Sequence, residues 1–185
     1  LSSGHAHPDA SSFIIWARGR YLTGDTGYAG QPQSRQHNTI TVGGQGQGDE
    51  GDHDVWRKMD PAALDTVRIT SMRATPGGLR VEADAAGAYR PASGLISFHR
   101  TFEVTGADRF SVTDAIETRT AKTIEWFLHA DVPIEAQAGR YLVGGGSSPL
   151  AVTLTTPPGT RVTSDKTVLT APGKPGSVAD GPEEH

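Results

Sequence analysis

The sequence predicts an all-β fold, an antiparallel β-sandwich of about ten or more short strands. Three observations lead there. β-Branched residues are abundant, with 20 Thr, 12 Val and 8 Ile against 10 Leu and 4 Lys. Such side chains lose rotamer freedom in a helix and pack well on a pleated surface. Turn formers are frequent too: 23 Gly and 12 Pro among 185 residues interrupt any long helix. Finally, short apolar or alternating runs recur between turn signals, which is the spacing of a sandwich or barrel.

The elements follow in order. Residues 13–17 (Phe-Ile-Ile-Trp-Ala) read as a buried strand, Arg18-Gly19-Arg20 as a tight turn and residues 21–23 as the returning strand. A loop covers residues 24–36, and residues 37–42 alternate as a strand from Asn38. Residues 43–54, rich in Gly and acids, read as a flexible or functional loop. One helical turn is expected around Pro61 within residues 57–65. A meander follows, with strands at 67–69, 79–83, 95–104, 110–116 and 123–129. Its turns fall at Pro76-Gly77-Gly78 and Gly106-Ala107-Asp108. Strands at 140–143, 150–155 and 167–170 complete the set. The expected organisation is one β-sandwich domain over residues 1–171 and a Pro-, Gly- and acid-rich tail over 172–185. The chain starts at Leu1 rather than Met, which reads as a fragment or processed product of a longer protein.

Composition narrows the functional classes. No apolar run approaches the roughly 20 residues of a membrane-spanning helix. The formal charge is −4 and the Arg and Lys residues are scattered, whereas a nucleic-acid partner calls for a basic stripe. With no cysteine, disulfides, thiolate metal sites and a cysteine nucleophile are excluded. The Gly-rich run at residues 43–48 lacks the Lys and the strand–loop–helix context of a phosphate cradle.

The segment Gly4-His5-Ala6-His7-Pro8-Asp9 is the most informative. Histidines two apart on an extended backbone face the same way, and imidazole is the commonest metal ligand. Asp25 directly follows a predicted strand, and His37 opens the next. Two His and one carboxylate, with water in the fourth position, make an open zinc shell. If Arg18-Gly19 is a two-residue turn, Asp25 lies opposite Ser12, and a continuing strand would put His7 about 16 Å further along. The 5–9 segment must therefore fold back, which Pro8 and Ala10-Ser11-Ser12 permit. Among other candidates, His53 lies in the acidic loop, Trp56 stands beside it as a stacking surface for a sugar ring, and Arg35 offers a planar fork to a carboxylate. His99 and His129 read as satisfied sheet residues, Trp16 and Trp126 as members of core-like strands.

Taken together, the 4–9 motif, Ser12-Phe13-Ile14-Ile15 with Gly19, Asp25-Thr26-Gly27-Tyr28 and Arg35-Gln36-His37-Asn38-Thr39 resemble the C-terminal β-sheet domain of heparinase II/III-type polysaccharide lyases. Phe98-His99-Arg100-Thr101-Phe102, Val112-Thr113-Asp114-Ala115-Ile116 and Trp126-Phe127-Leu128-His129 agree with it. The resemblance covers roughly residues 1–135. It implies cleavage of a uronate-containing polysaccharide, heparan sulfate-like or alginate-like, by β-elimination. It further implies a mainly structural zinc held by His7, Asp25 and His37, with His5 facing the substrate as the catalytic residue of this domain. Arg35, His53 and Trp56 are the expected substrate contacts. The family's principal base and acid come from an N-terminal helical toroid that is not in this sequence, so this domain alone is expected to be inactive. A periplasmic or secreted bacterial location is implied by the family alone.

Two alternatives compete. A cupin-like metal enzyme shares HxH and a later His, but expects a Glu four or five residues after the second His, where this chain has Ser11 and Ser12. A non-catalytic carbohydrate-binding sandwich needs no His cluster and shows exposed aromatics.

Overall fold

Turn chemistry and strand alternation account for most of the architecture seen in the computed structural model, which describes residues 6–25, 33–50, 54–145 and 148–166. In chain order the strands are β1 (Trp16–Ala17), β2 (Arg20–Tyr21), β3 (Ile40–Val42), β4 (Arg68–Thr75), β5 (Gly78–Asp84) and β6 (Leu95–Thr105). They continue as β7 (Arg109–Thr118), β8 (Ile124–Trp126), β9 (Ile134–Gln137), β10 (Arg140–Val143) and β11 (Leu150–Val152). A single α-helical turn, α1 (Pro61–Leu64), sits among them. Every pairing among the described residues is antiparallel, as the all-β expectation requires. None of their helices is long and apolar enough to cross a membrane.

Two compact units emerge, Leu1–Ser12 with Gln31–Phe127, and Phe13–Gly30 with Leu128–His185. In the first, β4-β5-β6-β7 form a four-stranded meander and β3 pairs with β8. The β4–β5 hairpin turns at Gly77, whose φ of +82° suits a residue without a Cβ. A Cβ on the next residue, Gly78, would run into the Val104 carbonyl. The two sheets of this unit share one core. Ile40 and Val42 from β3 meet Phe98 from β6, together with Ala85, Ala88 and Tyr89 from the β5–β6 connection. Val67, Leu95, Ile116 and Ile124 pack against that cluster. Burying a large apolar side chain of this kind contributes roughly 1.5–3 kcal/mol.

The second unit holds the β1–β2 hairpin and the sheet β11-β10-β9. Arg18 and Gly19 both have positive φ, 53° and 79°, the backbone of a two-residue hairpin turn matched to strand twist. Ala17 accordingly pairs with Arg20 and Trp16 with Tyr21. Arg20 Nη2 donates to the Ser148 carbonyl (2.8 Å) and Arg18 Nη1 to the Ser148 hydroxyl (2.7 Å).

Several elements depart from the sequence reading. β4 runs to Thr75, although Ser71 and Arg73 broke its apolar pattern; it is an edge strand, with Ile69 and Met72 about 60% exposed, so no inward face dictates alternation. β9 was not anticipated, because Ile-Glu-Ala-Gln carries little apolar periodicity. The strands expected at 13–17, 37–42 and 123–129 shrink to β1, β3 and β8. Residues 43–50 are not a loose loop: Gly46, Gln47 and Gly48 are buried. Glu50 holds this turn by accepting from Ser34 N (2.9 Å) and Gly46 N (3.0 Å), and a Cβ on Gly46 would collide with both the Glu50 carboxylate and the Ser34 hydroxyl. The helical turn forms where expected, with Asp60 capping it by accepting from Ala62 N (3.0 Å) and Pro61 in its first position. The strand expected at 167–170 and the tail lie outside the described residues.

Candidate metal centre

His37 is placed by the short 3-10 turn Ser34–Gln36 that precedes it. Gln36 Oε1 accepts from Gln33 N (2.9 Å), and His37 N donates to the Ser34 carbonyl (3.1 Å). The chain then leaves the turn in extended conformation, with His37 at φ −124° and ψ 160°. His37, Asn38 and Thr39 are fully buried, so the imidazole is held inside the protein beneath the 6–12 segment rather than on a strand end.

That segment folds back, as the strand-rise argument demanded. Ser12 N donates to the Asp9 carbonyl (2.8 Å), closing a turn. Ser11 within it adopts φ +60°, an uncommon conformation for a residue with a Cβ. The turn is fastened to the His37 segment by polar contacts. Asn38 N donates to Ser12 Oγ (3.1 Å) and Thr39 Oγ1 to the Ala10 carbonyl (3.3 Å). Gln47, fully buried, presents its amide to Ala10 as a strand would: Oε1 accepts from Ala10 N (2.8 Å) and Nε2 donates to Ala10 O (3.0 Å). Its Nε2 also lies 3.3 Å from both Thr39 Oγ1 and Tyr89 Oη. Tyr89 Oη in turn donates to the Ile40 carbonyl at 2.8 Å. Burial pushes the Tyr89 phenol up to about 12, so it remains a donor at neutral pH.

The consequence is a meeting of residues distant in sequence. The His7 and His37 rings stand with centroids 5.2 Å apart, tilted by 47°. One ligand atom from each of His7, Asp9 and His37 falls within 4.8 Å of the others, a group that can hold a metal ion. His7 is half-buried and Asp9 exposed, so the group grades from the interior to the surface. Two imidazoles and one carboxylate are a donor set suited to a divalent transition-metal ion.

The remaining candidates are distributed as follows. His5 and His53 lie outside the described residues. Asp25 belongs to the second unit, three residues beyond Leu22. Arg35 is exposed on the turn next to His37, and Trp56 is half-buried, packed against the apolar cluster. His99 is 3.6 Å from Asp84 on the neighbouring strand, as expected of a sheet residue. Trp16 and Trp126, read from sequence as core-strand residues, are instead 60% and 37% exposed; their strands are only two and three residues long and do not bury both faces. Asp9 was missed as a member of the group, although it sits two residues after His7 in the same motif. Gln47 was missed because a lone Gln in a Gly-rich run carries no signal of burial.

No curated protein matches this chain. The family described as Heparinase II/III-like, C-terminal, matches residues 1–178, which takes in both units and the His7, Asp9 and His37 group. The chain belongs to the Heparinase II/III-like C-terminal family.

Proposed function

We propose that this chain is the β-sheet domain of a polysaccharide lyase that cleaves uronate-containing chains by β-elimination, and that it holds a zinc ion. The observation that carries the reading is the family match over residues 1–178, supported by the His7, Asp9 and His37 group. The ion would be held by the two histidines with a carboxylate, and it would supply cross-linking of these segments and a local positive charge. Asp9 is the carboxylate the structure places beside the imidazoles; Asp25 is the one the resemblance implies.

β-Elimination removes the proton on the carbon next to a uronate carboxylate, and negative charge accumulates on that carboxylate as an enediolate forms. A donor aimed there stabilises the transition state, often by several kcal/mol. His5 takes that role: an imidazole offers a ring N–H as a donor and a ring nitrogen that can take up a proton. Arg35 and Trp56 supply, in this reading, a carboxylate contact and a stacking face, with His53 beside them. The base opposite His5 comes from a separate helical domain of the full-length protein.

The test is turnover of defined uronate oligosaccharides by the full-length protein, read as ultraviolet absorbance of the unsaturated product. His5→Ala is expected to retain zinc and folding while lowering kcat more than it raises KM. Wild-type turnover in a zinc-replete His5→Ala protein would make His5 a bystander. Absence of unsaturated product from every uronate polymer tried, with the full-length wild type, would overturn the lyase reading.

One observation favours a second reading, non-catalytic carbohydrate binding. Trp16 and Tyr21 are cross-strand partners on β1 and β2, 60% and 61% exposed, the kind of aromatic pair on which sugar rings stack. Saccharide affinity lost in Trp16→Ala, without any lyase activity in the wild type, would select it.

A further inference from the structure

Arg100 lies in the middle of β6 and is fully buried. On one edge its guanidinium grips Asp114 of β7 in a two-pronged ion pair, Nε to Oδ1 and Nη2 to Oδ2, both 2.7 Å. Its Nη1 reaches the other way, to the Ser11 carbonyl at 2.6 Å and the Asn38 carbonyl at 2.7 Å. The Phe98 ring lies under the guanidinium, 5.2 Å from Cζ to the ring centroid.

A charge in this position is poorly explained by stability alone. Desolvating a buried ion pair costs about as much as the pair returns, and apolar residues of similar volume often serve as well. What only arginine supplies is a rigid fork of five donors, able to satisfy a carboxylate along one edge and carbonyls along another. The two carbonyls chosen come from different segments. Ser11 is two residues beyond Asp9, at the positive-φ residue that turns the chain back, and Asn38 directly follows His37. A single Nη1 therefore ties together the two backbones that carry the three clustered side chains. With no exposed surface, Arg100 acts on the site only through these backbones.

We propose that Arg100, locked by Asp114, is a positioning residue of the metal centre: it sets the separation of the His7–Asp9 turn and the His37 segment, and through it the affinity of the site for a divalent cation. The proposal rests on the reading that His7, Asp9 and His37 hold a metal.

The experiment is titration of Co²⁺ into the metal-free full-length protein, following the visible d–d absorption, with folding monitored by circular dichroism and thermal unfolding. Lys at position 100 keeps the charge but cannot span the carboxylate and both carbonyls. Arg100→Lys is expected to raise the Co²⁺ dissociation constant roughly 10- to 100-fold, the range typical of lost outer-sphere support, and to alter the band shape. Asp114→Asn, which unlocks the fork while leaving Arg100 in place, is expected to shift it the same way and stands in should the first variant not fold. Leu95→Ala, a truncation against the same core but five residues before Arg100 at the start of β6, is expected to lower thermal stability with the dissociation constant changed less than about twofold, separating positioning from general destabilisation. Folded Arg100 or Asp114 variants with wild-type affinity and spectrum would overturn the proposal while leaving the metal reading intact. A wild type that binds neither Co²⁺ nor Zn²⁺ would overturn both.

Discussion

Arg100 and Asp114 are direct cross-strand partners in the β6–β7 ladder, and their side chains close a bidentate ion pair with no exposed guanidinium surface. The register of one hairpin thus places a buried guanidinium and its counter-charge behind the backbones that carry the His7, Asp9 and His37 group, the only cluster of three potential metal ligands found among the described residues.

Breaking that pair from the acidic side leaves a guanidinium inside the protein without its counter-charge. Asp114→Ala is expected to lower unfolding free energy by about 3–5 kcal/mol. Replacing both partners, Arg100→Met with Asp114→Leu, is expected to recover much of the loss, because no uncompensated charge remains buried. Urea unfolding of the two variants and the wild type measures the difference; a double variant as unstable as Asp114→Ala would contradict the electrostatic account.

The ligand group makes a separable prediction for metal content. His7→Ala and His37→Ala are each expected to reduce bound zinc from about one equivalent per chain to a small fraction of it, since a shell of this type has few ligands to spare. Asp9→Asn and Asp25→Asn then distinguish the carboxylates, the first a member of the His7 and His37 group and the second the ligand that the family resemblance implies. Elemental analysis after gentle purification reads all four. Unchanged zinc in either histidine variant would remove that residue from the shell.

Gln47 substitutes for a strand partner at Ala10, so its loss orphans the partly buried Ala10 N–H, while the Ala10 carbonyl keeps only the bond from Thr39 Oγ1. Gln47→Met is expected to destabilise the protein by roughly 2–3 kcal/mol, within the usual cost of leaving buried donors and acceptors unsatisfied. Amide hydrogen exchange at Ala10 should accelerate in parallel. Unchanged exchange at that amide would show that the turn does not depend on the Gln47 contact.

Tyr89 yields a pH dependence with a definite sign. Burial raises its folded-state pKa from 10.0 to about 12, so above pH 10 the unfolded chain releases this proton more readily than the folded one. Its contribution to stability is therefore complete below pH 10 and declines as pH rises through 12, by of order 2 kcal/mol. Tyr89→Phe is expected to be less stable at neutral pH, having lost the bond to the Ile40 carbonyl. Its stability should also fall less steeply between pH 10 and 12, as read from alkaline denaturant titrations. Equal slopes in the two proteins would exclude Tyr89 from the alkaline transition.

Fold class and the main hairpins were legible in the sequence because they depend on local chemistry. Arg18-Gly19, Pro76-Gly77-Gly78 and Gly106 dictate turns through φ preferences, and the 95–104 and 110–116 runs alternate because each strand has one inward face. The candidate site was half legible. His7 and His37 announced themselves by residue type, with Asp25 rather than Asp9 as the carboxylate expected beside them, but a metal group is a statement about distance, and 30 residues of chain separate the two imidazoles. Their approach was decided by contacts that local patterns do not specify: a positive-φ Ser11, a Gln47 amide mimicking a strand, and an Arg100 that alternation puts on the Phe98 and Phe102 face but whose carbonyl partners lie in distant segments. Exposure of Trp16 and Trp126 was equally out of reach, since an aromatic in an apolar run reads as core until the length of its strand is known. Local residue chemistry therefore determined which segments turn, extend and carry potential ligands. Only tertiary structure decided which of those ligands meet, because buried polar side chains, each satisfying backbone groups from distant segments, set the distances.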